Sequence, residues 1–178
     1  MQTYIAILRG INVGGKRKIL MADLKALFAE MGFSEIETYI QSGNVFFKAK
    51  RQENSELAQS ISSKIQQQYE FDVPVIVKTA TELQNAFAEN PFVDSAEIEQ
   101  LHVTFLSEIP VENKLQEIAS LDFSPDQFQI VGENVYLKCV NKYHQTKLSN
   151  NFFEKKLGVS ATTRNWKTVT KLVELVKG

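Results

Sequence analysis

Tyr4-Ile5-Ala6-Ile7-Leu8 is apolar at every position, the pattern of a strand buried on both faces, as a central strand is. Behind a short polar stretch, Leu20, Leu24, Leu27, Phe28 and Met31 recur at helical spacing, and Gly32-Phe33 supplies a C-cap with its hydrophobic follower. Two strands follow, Ile36-Glu37-Thr38-Tyr39-Ile40 and Asn44-Val45-Phe46-Phe47-Lys48, joined by Gln41-Ser42-Gly43 as a tight hairpin. Leu57, Ile61, Ile65 and Tyr69 mark a second helix, and Val73-Pro74-Val75-Ile76-Val77 a fourth strand with its proline near the start. Thr79-Ala80-Thr81-Glu82 has the form of a capping box opening a short helix that Asn90-Pro91 stops.

The pattern then restarts. Leu101-His102-Val103-Thr104-Phe105-Leu106 predicts a strand, and Leu115, Ile118 and Leu121 a helix opened near Pro110. Phe128-Gln129-Ile130-Val131, a turn at Gly132-Glu133, and Val135-Tyr136-Leu137-Lys138 predict a hairpin. Leu148, Phe152 and Leu157 continue as a helix capped by Gly158, and Val169, Leu172, Val173 and Val176 as a last one. The order predicts an α+β chain of two related ferredoxin-like βαββα units in tandem, residues 1–90 and 98–178, with largely antiparallel sheets. Asn44-Val45-Phe46-Phe47-Lys48 and Asn134-Val135-Tyr136-Leu137-Lys138 stand at the same place in each, which suits a duplication.

With 178 residues, 43% of them hydrophobic, the chain can bury a core without staples. Its net charge of -1 gives no global attraction to nucleic acid or membrane. The distribution is uneven: 1–50 and 134–178 are basic, while 81–133 carry Lys114 against eleven acidic residues. The single cysteine, Cys139, excludes an intramolecular disulfide and suits a reducing cytosol. It alternates with Val135 and Leu137, which predicts an inward thiol. With no secretory h-region after Met1 and no apolar run of spanning length, a soluble cytoplasmic protein is expected.

Candidate chemistry concentrates after the first strand. Arg9-Gly10-Ile11-Asn12-Val13-Gly14-Gly15-Lys16-Arg17-Lys18 is glycine-rich and basic, so backbone amides and countercharge can gather round an anion. Gly10 to Lys16 fits G-x-x-x-x-G-K, but Arg17 stands where a P-loop needs Ser or Thr for magnesium, and the split strand order is not that of P-loop enzymes. Gln41, Ser42 and Asn44 can orient a ligand from the end of the sheet or serve turn chemistry alone. In Thr162-Thr163-Arg164-Asn165-Trp166, Thr or Asn can cap the last helix, Trp166 can seal a core, and Arg164 can be structural or grip an anion. His102 and His144 lack Cys or His partners at ligand spacing, no Ser-His-Asp or Cys-His set can be assembled, and no cofactor is called for.

Leu8 to Gly15, Gln41 to Val45 and Thr163 to Thr168 together resemble the bacterial family known as domain of unknown function 1697. The resemblance runs from the first strand to the last helix. It implies an α+β fold of two related ferredoxin-like units and implies no activity.

The first functional expectation is a site for an anionic small molecule, a nucleotide or phosphorylated metabolite. Arg9, Gly10, Asn12, Gly14, Gly15, Lys16, Gln41, Ser42, Asn44, Arg164, Asn165 and Trp166 would form it. In a split βαββαβ sheet ordered 4-1-3-2, Arg9-Gly10 falls beside Gly43-Asn44; Arg164 joins only if the last helix packs back on the first unit. The alternative is single-stranded RNA binding, with Tyr4 and Phe46 on the strands where RNA-recognition motifs stack bases, although the RNP1 pattern is absent. A third reading is a protein-interaction scaffold using the acidic 81–133 face.

Overall fold

Why the first strand is apolar throughout becomes plain from its neighbours in the computed structural model, which describes residues 1–178. Strand β1 (Gln2–Leu8) is central, paired antiparallel with β3 (Asn44–Ala49) on one side and β4 (Val75–Thr79) on the other, and β2 (Ser34–Tyr39) completes the order β2-β3-β1-β4. Helices α1 (Met21–Glu30) and α2 (Asn54–Tyr69) bring Leu24, Leu27, Phe28, Leu57, Ile61 and Ile65 onto the face formed by Tyr4, Ala6, Leu8, Val45 and Phe47. Leu20, placed by its spacing on the stripe of α1, instead stands exposed as the N-cap position. The Tyr4 hydroxyl donates to the Gln52 carbonyl at 3.1 Å and accepts from the Gln52 amide at 3.0 Å, which fixes the link from β3 to α2. On the opposite face Ile5, Ile7, Phe46 and Ile76 are buried too.

The chain divides into two units, Met1–Gln84 with Val176–Gly178, and Asn85–Leu175. Helix α3 (Ala80–Ala88) opens on the expected capping box: the Thr79 amide donates to Glu82 Oε2 at 2.7 Å and the Glu82 amide to Thr79 Oγ1 at 3.1 Å. In the second unit β5 (Leu101–Leu106) is central in the order β6-β7-β5-β8, with β6 (Gln127–Val131), β7 (Asn134–Lys138) and β8 (Ala161–Asn165). Helices α4 (Glu112–Ala119) and α5 (Asn150–Leu157) place Ile118, Phe153 and Leu157 in a core with Leu106, Val135, Leu137 and Ala161. α5 is capped by Ser149 and ends on Gly158; α6 (Trp166–Lys177) is capped by Asn165, whose Oδ1 accepts from the Thr168 amide at 2.8 Å. No helix is long and apolar enough to cross a membrane.

The chain is therefore α+β with two four-stranded antiparallel sheets and six helices, and its one departure from the expected element order is β8. Residues 161–165 lack an apolar alternation because buried positions there are polar. Thr163 meets Thr104 across the strands at 2.7 Å and donates to Asn150 Oδ1 at 2.6 Å, while Thr162 and Arg164 lie buried on the other face. Side-chain hydrogen bonds hold Thr163 in this strand, while the buried Thr162 hydroxyl has no hydrogen-bond partner.

Cys139 is fully buried beside Val135 and Leu137. Burial, with Asp126 nearby, pushes its thiol up to about 11. The unfolded chain ionises first as pH climbs from the ordinary 9.0 toward about 11, so this group withdraws stability across that window. Native protein at pH 8 should accordingly react with a thiol reagent no faster than it opens, and at once in denaturant. Rapid native labelling would show that the thiol is accessible.

Candidate functional site

Where the first strand ends, the chain folds back on itself twice within ten residues. Leu8 donates to the Gly43 carbonyl at 2.9 Å and Arg9 to the Pro74 carbonyl at 3.0 Å, so β1 leaves the sheet between the start of β3 and the start of β4. The expected neighbourhood of Arg9-Gly10 and Gly43-Asn44 is present. Gly43 permits it: at φ +89° it lies so close to β1 that an added Cβ would stand 2.8 Å from both Leu8 Cβ and Ile11 Cδ1.

Residues 12–17 then form a small β-hairpin. Asn12 donates its amide to the Arg17 carbonyl at 3.1 Å, Lys16 donates to Val13 at 3.0 Å, and Val13 and Lys16 face each other across the turn. Gly14 and Gly15 both have positive φ, +58° and +73°, the pair of conformations that a type I′ hairpin demands. A P-loop would wrap its glycines into a helix beginning at the lysine. Here the glycines cap a projecting ribbon, and α1 begins only at Met21.

The ribbon is anchored at its base. Ile11 and Ile19 are buried in the first core, one on each side. Between them the Asn12 side chain donates Nδ2 to the carbonyls of Ile19 at 3.0 Å and Gln41 at 2.9 Å, while Oδ1 accepts from the Ile19 amide at 2.9 Å. Asn12 does this from φ +56°, and Arg17 sits at +49°. Two non-glycine residues held left-handed in one short loop represent backbone strain that the anchoring contacts offset.

The expected site residues therefore divide by role. Asn12 is a clamp whose two donors are spent inside the protein. Asn44 is buried and donates to the Tyr39 carbonyl at 3.0 Å and Ser42 Oγ at 3.3 Å, so it shapes the 40–43 turn from within. Gln41 offers its carbonyl to the clamp and leaves its side chain exposed. Gly14, Gly15 and Lys16 are exposed at the tip, Gly10 is exposed at the base, and Arg9 is half-buried.

Arg17 and Lys18, outside the expected set, are exposed with them. Arg17 Nη1 lies over Gly10, 3.2 Å from where a Cβ would be. Both stand in the basic loop that the sequence marks out, and the spacing of Asn12 and Arg17 about Gly14-Gly15 is the sequence feature that announces the hairpin. No carboxylate occurs in the chain before Asp23, so Lys16, Arg17 and Lys18 have no acidic neighbour within four residues in sequence.

Arg164, Asn165 and Trp166 belong to the second unit. Arg164 is buried on β8 and donates to the Thr163 carbonyl at 3.1 Å; burial lowers its guanidinium to about 10, leaving it protonated at neutral pH. Asn165 caps α6, and Trp166 stacks flat on Phe87 at 4.9 Å between ring centroids. Tyr4 and Phe46, which would stack bases on an open sheet, are both buried, Tyr4 in the core beneath the helices. A base-stacking platform made of these two rings would require them at the surface. No three His, Cys, Asp or Glu side chains are grouped so as to hold a metal ion.

The family model described as "Protein of unknown function (DUF1697)" matches residues 1–136. The chain belongs to this family. The matched span of DUF1697 holds the hairpin and the 41–44 turn and ends before Arg164. Among solved structures, the chain is similar to the conserved bacterial protein SP0830 from Streptococcus pneumoniae, at 23% identity over 97% of each chain and a TM-score of 0.78; the likeness is one of fold. Comparison with curated proteins gives no match.

Proposed function

We propose that this DUF1697 protein binds a phosphate-bearing small molecule, a nucleotide or phosphorylated metabolite, at the 12–17 hairpin. The observation that carries the reading is the clamp: three hydrogen bonds of the Asn12 side chain and two buried isoleucines hold a ribbon whose exposed residues are Val13, Gly14, Gly15, Lys16 and Arg17. An anchored loop loses little conformational entropy when it meets its ligand. Backbone amides freed by glycine, together with Lys16, Arg17 and Lys18, supply donors and countercharge.

Pyrophosphate at ten times its dissociation constant should stabilise the protein by about 1.4 kcal/mol, a rise of roughly 3–5 °C in melting temperature. Both lysines are exposed, so Lys16→Ala with Lys18→Ala should leave the unliganded melting temperature unchanged and remove most of that rise. An equal rise in the double variant would place the anion elsewhere.

A second reading, single-stranded nucleic acid, is favoured by the way the tip projects: an open ribbon can track a backbone as readily as it meets one phosphate. Contacts through Lys16, Arg17 and Lys18 would give oligouridine binding a salt slope of about -2 on logarithmic axes.

Two further features support taking the units as duplicated ferredoxin-like repeats. Each sheet places its second, third, first and fourth strands in that order, and Asn44–Lys48 and Asn134–Lys138 fall on the equivalent third strands. A single, buried cysteine suits the cytoplasm.

A further inference from the structure

The two sheets manage their outer edges differently. In the first unit β2 is an edge strand whose pairing with β3 shifts register between Ser34 and Glu37, with Glu35 at φ +48° and paired to Lys48 at 2.6 Å. A bulge and charge on an edge discourage pairing with a foreign strand. The equivalent edge in the second unit is β6, and it has neither. Gln127–Val131 pairs with β7 without a register break over all its residues, and Gln127-Phe128-Gln129-Ile130-Val131 contains no charge.

Its free hydrogen-bonding groups can be placed. Leu106 donates to the Glu133 carbonyl and Cys139 to that of Gln100, so alternate residues 133, 135, 137 and 139 bond toward β5. Residues 134, 136 and 138 then bond toward β6 and engage 131, 129 and 127. The amides and carbonyls of Phe128 and Ile130 therefore point outward from the edge.

Beside this edge runs a groove of about 670 Å³, walled by Leu115 and Ile118 of α4, Leu121 and Phe123 of the following turn, and Phe128 and Ile130 of β6. Its lip carries Asp122 and Asp126. Ser124 donates amide and hydroxyl to Asp122 and holds that carboxyl below its usual value. Asp126 is fixed by the Val140 amide at 2.9 Å and the Thr146 hydroxyl at 2.6 Å. The surrounding sequence, 81–133, has Lys114 as its sole lysine or arginine.

We propose that β6 and this groove receive an extended peptide segment of another protein, alternating apolar with basic residues and added as a fifth strand. Main-chain bonds to Phe128 and Ile130 hold it, alternate apolar side chains enter the groove against Leu115 and Phe123, and lysine or arginine side chains meet Asp122 and Asp126. The acidic lip selects a basic occupant and disfavours a second copy of the same edge, which would set like charges together.

The test is fluorescence anisotropy of a labelled peptide alternating lysine and valine, titrated with the full chain at low salt. Saturable binding is expected. Leu121→Lys, at a position already partly exposed, should weaken it about tenfold or more, and Asp122→Asn, which keeps an oxygen for Ser124, about two- to threefold. Methylating the alternate peptide nitrogens that face β6 should abolish binding, since it deletes the strand bonds while leaving the protein untouched. Undiminished binding of the methylated peptide, equal binding of a glutamate–valine peptide, or absence of binding would overturn the proposal. So would a wild-type dimer in sedimentation that Leu121→Lys dissolves, because it would give the edge to a second copy.

Discussion

Replacing Gly43 with alanine is expected to cost about 3 kcal/mol and to lower the melting temperature by roughly 6–12 °C. Two effects combine. The residue sits at φ +89°, which an alanine occupies only with strain, and its new Cβ would stand 2.8 Å from Leu8 Cβ and from Ile11 Cδ1. Leu8 Cβ is fixed to the backbone of a central strand and cannot give way. Gly15→Ala is the internal control. It shares the positive φ, at +73°, but has nothing within 4 Å of the added carbon, so about 1 kcal/mol is expected. Differential scanning calorimetry of the two variants separates conformational strain from close packing. Equal losses would mean that the approach of β1 to Gly43 is not what confines the position to glycine.

Asn12→Ala should have the second largest effect, about 2 kcal/mol in stability and a greater one in function. The substitution strips partners from the Ile19 amide and from the carbonyls of Ile19 and Gln41, and puts alanine at φ +56°. Ile11 and Ile19 still anchor the base, so the fold should persist while the ribbon above it loosens. Hydrogen exchange at the amides of Asn12 and Lys16, which close the hairpin, would report the loosening directly. Every charge of the tip survives in this variant. A loss of pyrophosphate affinity would therefore be due to lost organisation, and retained affinity would show that charge alone suffices.

Much of this architecture was legible in the sequence because its central strands bury hydrophobic side chains on both faces. β1 and β5 declare themselves that way, and the capping box at Thr79–Glu82 and the glycine ends of α1 and α5 mark boundaries by local chemistry. β8 stayed hidden since the polar Thr162 and Arg164 occupy buried positions and Thr163 is held by hydrogen bonds, which leaves no hydropathy period. At the candidate site the glycines and the charges were visible, and the contact of Arg9-Gly10 with the 43–44 turn followed from strand order. The division of labour did not follow. Asn12 and Asn44 look like ligand-facing amides in a polar loop; their roles as clamp and turn support come from backbone partners that residue type does not reveal, Ile19 and Gln41 for one and Tyr39 for the other. Arg164 shows the same limit, since an arginine before a helix can be exposed or, as here, buried on a strand.

The central claim, anion binding at the ribbon, is most directly tested by following backbone amide resonances during titration with pyrophosphate. The account predicts saturable shifts at residues 10–18 and in the 41–44 turn that the Asn12 clamp joins to them, with the acidic 81–133 segment unmoved. Shifts spread over exposed lysines throughout the chain, or none at residues 13–18, would contradict it.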